Sequence, residues 1–427
     1  MKILYFNSFS VVHGGAERLL FDTCAELLAR GHQTSLVVAN DDRHAKSPEF
    51  WPARVNRYHI PELILPLSDR RSHDRHLRSE SYRDALRYLQ DIINIESPDL
   101  IHVHNFPSVE MFKDLDVGVP LIKTIHSYEN LCETRLKLLP DGTICSHRLG
   151  KACKTVCGFK DSFRAVRVRC ENHFARLRFA RFVAISNYIR DLLAANGFPE
   201  RKIRVLPNFT RLTAKCTDTA EEDRVLYVGR LTPEKGLLEL IRAIRRMQRR
   251  PTLHVVGKDG ILGQSSFQDS VLREAASLGV DLDLQDWVIG DELSRAYARS
   301  KVVAFSSVWP EPFGLVGIEA MLQAKPVVAF DGGGVRNWLK HGVTGFLVPH
   351  GDLDQYAARI DQLLADDGLR RRMGDTARNV ALEEFTAPRY MKDLMKIYME
   401  AINEGALDRS GGRPEVRDPQ YWVGIPV

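Results

Sequence analysis

Short apolar runs alternate with longer amphipathic stretches along most of the chain. Lys2 to Phe6 is one such run and reads as a strand. From Ala16 to Arg30 the apolar positions take helical spacing, with Leu19, Leu20, Thr23, Leu27 and Leu28 on one side, and Gly31 marks the end. Gln33 to Ala39 is the next strand. A polar stretch rich in Arg and His, Asp69 to Arg78, leads into a helix with Tyr82, Leu86, Leu89 and Ile93 on one face. After the Pro98-Asp99 break, Leu100 to His104 and Val119 to Ile125 read as buried strands. The second half repeats the alternation. Strands fall at Val225 to Val228, Leu253 to Val256, Lys301 to Phe305 and Pro326 to Phe330, with a helix from Gly236 to about Met247 and another starting near Leu315.

Strands that alternate with helices build parallel sheets covered on both faces. The pattern predicts an α/β chain of two Rossmann-like domains, residues 1–205 and 206–385, facing each other across an interdomain cleft. The polar stretch Leu206 to Glu222, which contains Pro207-Asn208, is the expected junction. Residues 386–427 are expected to hold a C-terminal helix, about Pro388 to Asn403, that packs back across the junction, and then a tail, Gly411 to Val427. Open parallel sheets bind ligands at the C-terminal ends of their strands, so chemistry is expected in the cleft.

Composition narrows the class. A chain of 427 residues is long enough for two or three domains. Sixty Lys and Arg against fifty-five Asp and Glu leave +5, too small an excess to point to nucleic acid. The run Ile3 to Phe6 is shorter than a secretory signal requires, and no stretch reaches the roughly 18 to 20 apolar residues of a membrane-spanning helix. A cytoplasmic protein is expected. Seven cysteines, an odd number, do not read as a disulfide scaffold.

Three segments carry candidate chemistry. In Glu311-Pro-Phe-Gly-Leu-Val-Gly-Ile-Glu319 one carboxylate sits in a loop and the other just over a turn into a helix. Between them, Gly314, Leu315 and Val316 would offer the free N–H groups of a helix start, which suit an anion such as a diphosphate. Two solvated surface acids are the plain alternative. In Val228-Gly-Arg-Leu-Thr-Pro-Glu-Lys-Gly236, Arg230 and Lys235 flank a turn at a strand's C-terminal end, where two cations can neutralise a diphosphate leaving group. The alternative there is an exposed basic loop. In His13-Gly-Gly-Ala-Glu17, Gly14 and Gly15 allow close backbone approach to a ligand, or simply a tight turn. The spacing is not G-x-G-x-x-G, which disfavours a nicotinamide oxidoreductase.

With these segments in order, the chain resembles the retaining glycosyltransferases of family four, which have the GT-B fold. The likeness runs from about Ile3 to Pro349 and is densest from Val225 onward. It is carried by Gly14-Gly15-Ala16-Glu17, Pro98-Asp-Leu-Ile-His-Val-His104, His126, Val183-Ala-Ile-Ser186 and Pro207-Asn208. Gly229-Arg230 with Lys235, the paired glutamates, Gly332-Gly-Gly334 and Thr344-Gly-Phe-Leu-Val-Pro349 complete it. The resemblance implies an acceptor-side N-terminal domain and a C-terminal domain that binds a nucleotide-diphosphate sugar. It assigns Arg230 and Lys235 to the donor diphosphate and Glu319 to the ribose. Glu311 would hold the donor sugar's hydroxyls, Gly15 would approach the donor, and His126 would lie near the reacting sugar. Phe313, Gly314, Leu315 and Val316 fall in the same donor segment. Retention without a catalytic metal or other cofactor is implied, with a glycan or lipid-linked glycan as acceptor, in building surface polysaccharide. Where the family often has Pro-Glu after the Gly-rich turn, this chain has Arg336-Asn337.

Two further features stand outside that core. Cys132, Cys145, Cys153 and Cys157 cluster with His147, as free thiols, as a structural Zn²⁺ site, or as a feature shaping the acceptor side. In 163–181, Phe163, Val166, Cys170, Phe174 and Leu177 recur at helical spacing among Arg164, Arg167, Arg169, Arg176, Arg178 and Arg181. Such a segment suits either peripheral contact with the inner face of the cell membrane or a helix packed on the core with its arginines solvated. The competing functions are a nucleotide-sugar epimerase or phosphorylase on the same fold, and a non-catalytic nucleotide- or glycan-binding subunit.

Overall fold

The computed structural model describes residues 1–39, 55–60, 79–106, 108–159, 163–212, 216, 219–259 and 267–410, the side chains of 163–166 and 405–410 excepted. The polar stretch Asp69 to Arg78 and the tail Gly411 to Val427 lie outside the described residues.

The first strand, β1 (Lys2–Asn7), is buried from Ile3 onward, as a central strand covered on both faces must be. It pairs on one side with β2 (Gln33–Val38), which pairs with β3 (Asn56–His59). On the other side lie β4 (Leu100–Val103), β5 (Leu121–Ile125), β6 (Arg181–Ala184) and β7 (Ile203–Val205). The sheet order is β3-β2-β1-β4-β5-β6-β7, and every pairing is parallel. Helices α1 (Gly15–Ala29), α2 (Glu80–Glu96), α3 (Lys151–Thr155), α4 (Phe163–Arg178) and α5 (Asn187–Ala195) belong to this half.

The second sheet has β8 (Arg224–Val228), β9 (Thr252–Val256), β10 (Leu282–Gln285), β11 (Val302–Phe305), β12 (Val327–Phe330) and β13 (Gly345–Val348). Its order is β10-β9-β8-β11-β12-β13, again parallel throughout. Its helices are α6 (Leu237–Arg246), α7 (Phe267–Leu278), α8 (Gly290–Arg299), α9 (Leu315–Leu322), α10 (Leu353–Ala365) and α11 (Asp367–Glu384). In both sheets the strand order reverses beside the first strand, between β1 and β4 and between β8 and β11. A crevice opens at the strand ends there, because the flanking connections leave to opposite faces.

The chain closes with α12 (Ala387–Ser410). Its Tyr390, Met391, Leu394, Ile397, Tyr398 and Ala401 are buried in one cluster with Ile3, Tyr5, Leu19 and Leu20 of the first half. Arg181, 2% exposed, pairs with Glu404 and with Glu400 at 3.5 Å, tying β6 to the same helix. Among the described residues no helix is long and apolar enough to cross a membrane.

The sequence pattern did not pick out β3, β6, β7, β10 or β13 as strands. They are short, and β3 and β10 lie at sheet edges, where solvent on one side permits sequences such as Asn-Arg-Tyr-His and Leu-Asp-Leu-Gln. The strand at Val119 begins two residues later, at Leu121.

Candidate active site

The site is built from the loops after β1, β4 and β5 on one side and after β8 and β11 on the other. Leaving β8, the chain passes Gly229-Arg230 into a short 3₁₀ turn, Pro233–Lys235. The turn aims Lys235 at the loop after β11, where its ammonium forms an ion pair with Glu311. Ser307 donates to the same carboxylate oxygen at 2.8 Å. Glu311 is 5% exposed. Burial pushes its carboxyl up, but the Lys235 charge and the hydrogen bonds from Lys235 and Ser307 outweigh burial and hold it below its ordinary range. The acid is therefore a fixed, buried anion rather than a solvated surface group. The Lys235 ammonium also lies 5.3 Å from the Trp309 ring centroid.

From Glu311 the loop reaches Gly314, which takes φ +91° as the N-cap of α9. No side chain caps this helix start. A Cβ at Gly314 would stand 2.6 Å from the Phe305 ring, so glycine is needed twice over. Leu315 and Val316 are half-buried at the mouth of the helix. Phe313 is placed otherwise: its side chain is buried in the core and its carbonyl accepts from Trp338 Nε1 at 2.8 Å. One turn into α9, Glu319 is buried and accepts from the Tyr297 hydroxyl at 3.1 Å.

The other wall comes from the first half. Gly14 is the N-cap of α1 and Gly15 its first residue. A Cβ on Gly15 would lie 2.8 Å from Leu315 Cδ1, so the two helix starts meet across the cleft. Glu17 stands three residues after the cap and folds back on its own helix start, where the N–H groups of Gly14 and Glu17 and the Asn105 side chain support its carboxylate. Burial outweighs these bonds and the Arg230 charge opposite, raising its pKa from 4.5 to about 7. Arg230 itself is 3.6 Å from Glu234, with its side chain one-third exposed.

His126 follows β5 and is buried. Its Nε2 is 2.8 Å from His104 Nδ1. Burial, and then the Lys123 charge, bring its pKa down to about 3, so the ring is neutral. The Arg336-Asn337 departure has a visible use. Arg336 pairs with Asp331, and Asn337 Oδ1 accepts the Asn187 N–H at 3.1 Å, capping α5 from the opposite domain. Tyr128 donates to the Pro310 carbonyl across the same interface.

The structure thus brings Glu311, Lys235, Glu319, Arg230, Gly14, Gly15, Gly314, Leu315 and Val316 to one cleft, with His126 at a strand end of the first sheet. Sequence reasoning gave no role to Glu17, Ser307, His104 or Tyr297. Glu17 had a usable signal, since an acid three residues after a helix cap is half of a capping box. Ser307 and Tyr297 had none, because their partners are set by the fold.

Cys132, Cys145, Cys153 and Cys157 line one small cavity with Lys137 and His147. The buried Lys137 ammonium donates to the His147 carbonyl and lies 3.7 Å from Cys145 Sγ. The four are free thiols, and among the described residues no group of three or more His, Cys, Asp or Glu side chains is placed to hold a metal ion. The buried face of α4 also differs from the predicted stripe. It runs through Arg167, Val168, Glu171, Asn172 and Ala175, while Leu177 is exposed. The stripe slips by about one position, and the buried face carries the Arg167–Glu171 pair, 3.4 Å apart. Arg176 lies over Phe198, Arg178 donates to the Val117 carbonyl, and Arg181 is held by α12, so most of these arginines serve the fold. The side chains of Phe163, Arg164 and Val166 lie outside the described residues.

Two facing doubly wound sheets, the second with an uncapped helix start at the cleft, define the GT-B architecture. Residues 13–213 match the model of Glycosyltransferase Family 4, and residues 212–380 match that of Glycosyl transferases group 1. A D-inositol 3-phosphate glycosyltransferase of Salinispora tropica is 30% identical over 352 residues, 77% of this chain and 67% of that one. The chain belongs to the glycosyltransferase group 1 family. It is also similar to an uncharacterized glycosyltransferase of Methanocaldococcus jannaschii, 25% identical over 73% of this chain and 77% of that protein. Among solved structures, Anabaena HepE in complex with UDP and glucose superposes with a TM-score of 0.69 at 20% identity, over 93% of this chain and 98% of that one.

Proposed function

We propose that the protein transfers a sugar from a nucleotide-diphosphate sugar to a glycan or lipid-linked glycan, with retention at the anomeric carbon and without a catalytic metal. The observation that carries this reading is the pair of half-buried Lys235 with buried Glu311 beside the uncapped start of α9. A leaving diphosphate needs positive charge where its negative charge grows, and Lys235, Arg230 and the α9 N–H groups supply it without a metal ion. Glu319 takes the ribose hydroxyls. Glu311, fixed as an anion, takes the donor sugar's hydroxyls and orients its anomeric carbon. Gly15 lets the N-terminal wall close on the donor, and His126 flanks the reacting sugar. The acceptor oxygen then attacks on the face the diphosphate leaves, and its proton passes to a phosphate oxygen.

The donor domain in this reading is 206–385, the acceptor side is 1–205, and 386–427 ties the second to the first. HepE was solved with UDP, which favours a uridine donor. The work is assigned to the cytoplasmic side, in surface polysaccharide or glycoconjugate synthesis. Peripheral membrane contact through 163–181 would rest on exposed Arg169, His173 and Leu177. The first test is thermal stabilisation by UDP, GDP and ADP with their common sugars, in EDTA. Stabilisation by one nucleotide supports a metal-independent donor site and names the base. A response that needs a divalent cation overturns metal independence, and none with any nucleotide overturns the donor site. Product configuration by NMR then tests retention.

A further inference from the structure

Behind His126 lies a buried polar ladder that the transfer chemistry above does not use. In its lower layer, His102 Nδ1 meets the Tyr398 hydroxyl and His102 Nε2 meets Thr124 Oγ1, each at 2.7 Å. Tyr398 in turn meets the Tyr5 hydroxyl at 2.8 Å. In the upper layer, His104 Nδ1 meets His126 Nε2 at 2.8 Å, with the rings 4.9 Å apart and inclined by 28°. His104 is wedged, its centroid 4.4 Å from His102 and 5.6 Å from Tyr5. Two nitrogens of the upper layer are buried without a partner, His104 Nε2 and His126 Nδ1.

A neutral imidazole carries one proton, so this bond couples the two rings. Either His104 donates, and His126 then carries its proton on Nδ1, or His126 donates and His104 carries its proton on Nε2. Each arrangement leaves one buried N–H without an acceptor. The cost of that orphan is avoided only where a bound molecule can reach it. His104, packed on His102 and Tyr5, is 2% exposed, whereas His126 is 8% exposed at the strand end. The first arrangement therefore leaves the orphan donor, the buried His126 Nδ1–H, on the ring nearer the cleft, where the proposed donor sugar would supply the acceptor.

We propose that His104 is a positioning residue that donates Nδ1–H to His126 Nε2 and fixes His126 in the tautomer offering Nδ1–H to a hydroxyl oxygen of the bound sugar. The inference rests on the placement of His126 at the donor sugar given above. Lys123, Glu129 and Glu171 are the charged groups around this corner, and both rings stay neutral through burial.

The test is a long-range ¹H–¹⁵N correlation spectrum of the full-length protein labelled at histidine, with His126 identified by its loss in His126→Gln. A protonated Nδ1 and bare Nε2 on His126 are expected, and the reverse overturns the proposal. In His104→Leu the His126 signals should move to a mixture of tautomers. Its kcat should fall about tenfold, the worth of one hydrogen bond, with donor KM within about twofold. His104→Asn, whose amide can donate from the same position, should recover most of the loss. Wild-type kinetics in His104→Leu, or no recovery with Asn in a folded protein, overturns the role. The tautomer is read without turnover, so a protein that transfers no sugar refutes the function above and leaves this measurement decisive.

Discussion

Replacing Glu17 by Gln should raise the stability of the protein above neutral pH and leave it little changed in acid. In the unfolded chain this carboxyl titrates near 4.5, and burial in the cleft lifts it to about 7. Between those values the folded protein holds a proton that the unfolded chain has released, so stability falls as pH rises. The contribution is fully present below pH 4.5 and lost as pH passes through 7. A shift of that size corresponds to about 3 kcal/mol across the window, since each unit is worth about 1.4 kcal/mol. Gln keeps the shape and an acceptor oxygen for the α1 N–H groups but has no proton to lose. The variant should therefore match the wild type near pH 5 and exceed it by about 2 to 3 kcal/mol near pH 8, allowing for one weakened hydrogen bond. Paired urea titrations of wild type and variant at half-unit pH steps read this difference directly. A difference that does not vary with pH, or a variant less stable at pH 8, would refute the assignment of Glu17 as a desolvated acid.

Other expectations concern the opposite wall. Glu311→Gln should lower kcat for sugar transfer by roughly a hundredfold while the circular dichroism spectrum stays near wild type. Turnover within about threefold of wild type would remove Glu311 from the reacting centre. Lys235→Met should weaken UDP binding by roughly 2 kcal/mol in calorimetry, the scale of one charge-assisted contact. It should also destabilise the protein more at pH 8 than at pH 5, because Glu311 loses the charge that held its pKa down and burial is then opposed mainly by hydrogen bonds such as that from Ser307. Gly15→Val should fold normally yet raise the donor KM about tenfold, since even a Cβ there would sit 2.8 Å from Leu315 Cδ1. An unchanged KM would show that the two helix starts need not meet during turnover.

The parts of the fold legible in the sequence are those where one local signal suffices. Buried strands such as β1 and β12 are uninterrupted apolar runs, and α1 announces itself by spacing and by Gly31. The edge strands β3 and β10 were not legible, because their apolar content is diluted by solvent on one side. The site divides the same way. Glu311, Lys235 and Glu319 lie in two short segments with glycine and proline punctuation, so their neighbourhood could be read. That Lys235 reaches Glu311 could not, because 76 residues separate them and only the adjacency of β8 and β11 brings their loops together. His104 and His126 meet for the same reason across β4 and β5. Arg167 misled the reading of α4, since a basic residue paired with a buried Glu171 occupies a face expected to be apolar.

Two carboxylates face the cleft from opposite domains, and their environments push them apart. Both are 5% exposed, so burial alone would raise each. Glu311 has an ammonium in contact and stays charged. Glu17 has only N–H groups and a more distant Arg230, and it is half-protonated near neutrality. A diphosphate seated between them would add negative charge beside Arg230, cancel its help to Glu17 and raise that carboxyl further. Binding should then draw a proton onto the N-terminal wall while Glu311, paired with Lys235, stays charged. The arrangement lets the cleft accept a highly charged ligand without leaving two buried acids in mutual repulsion with it. If the proposed donor site is right, the acid at this helix start, which otherwise favours anions, would hold the place while the cleft is empty and be neutralised when a diphosphate binds.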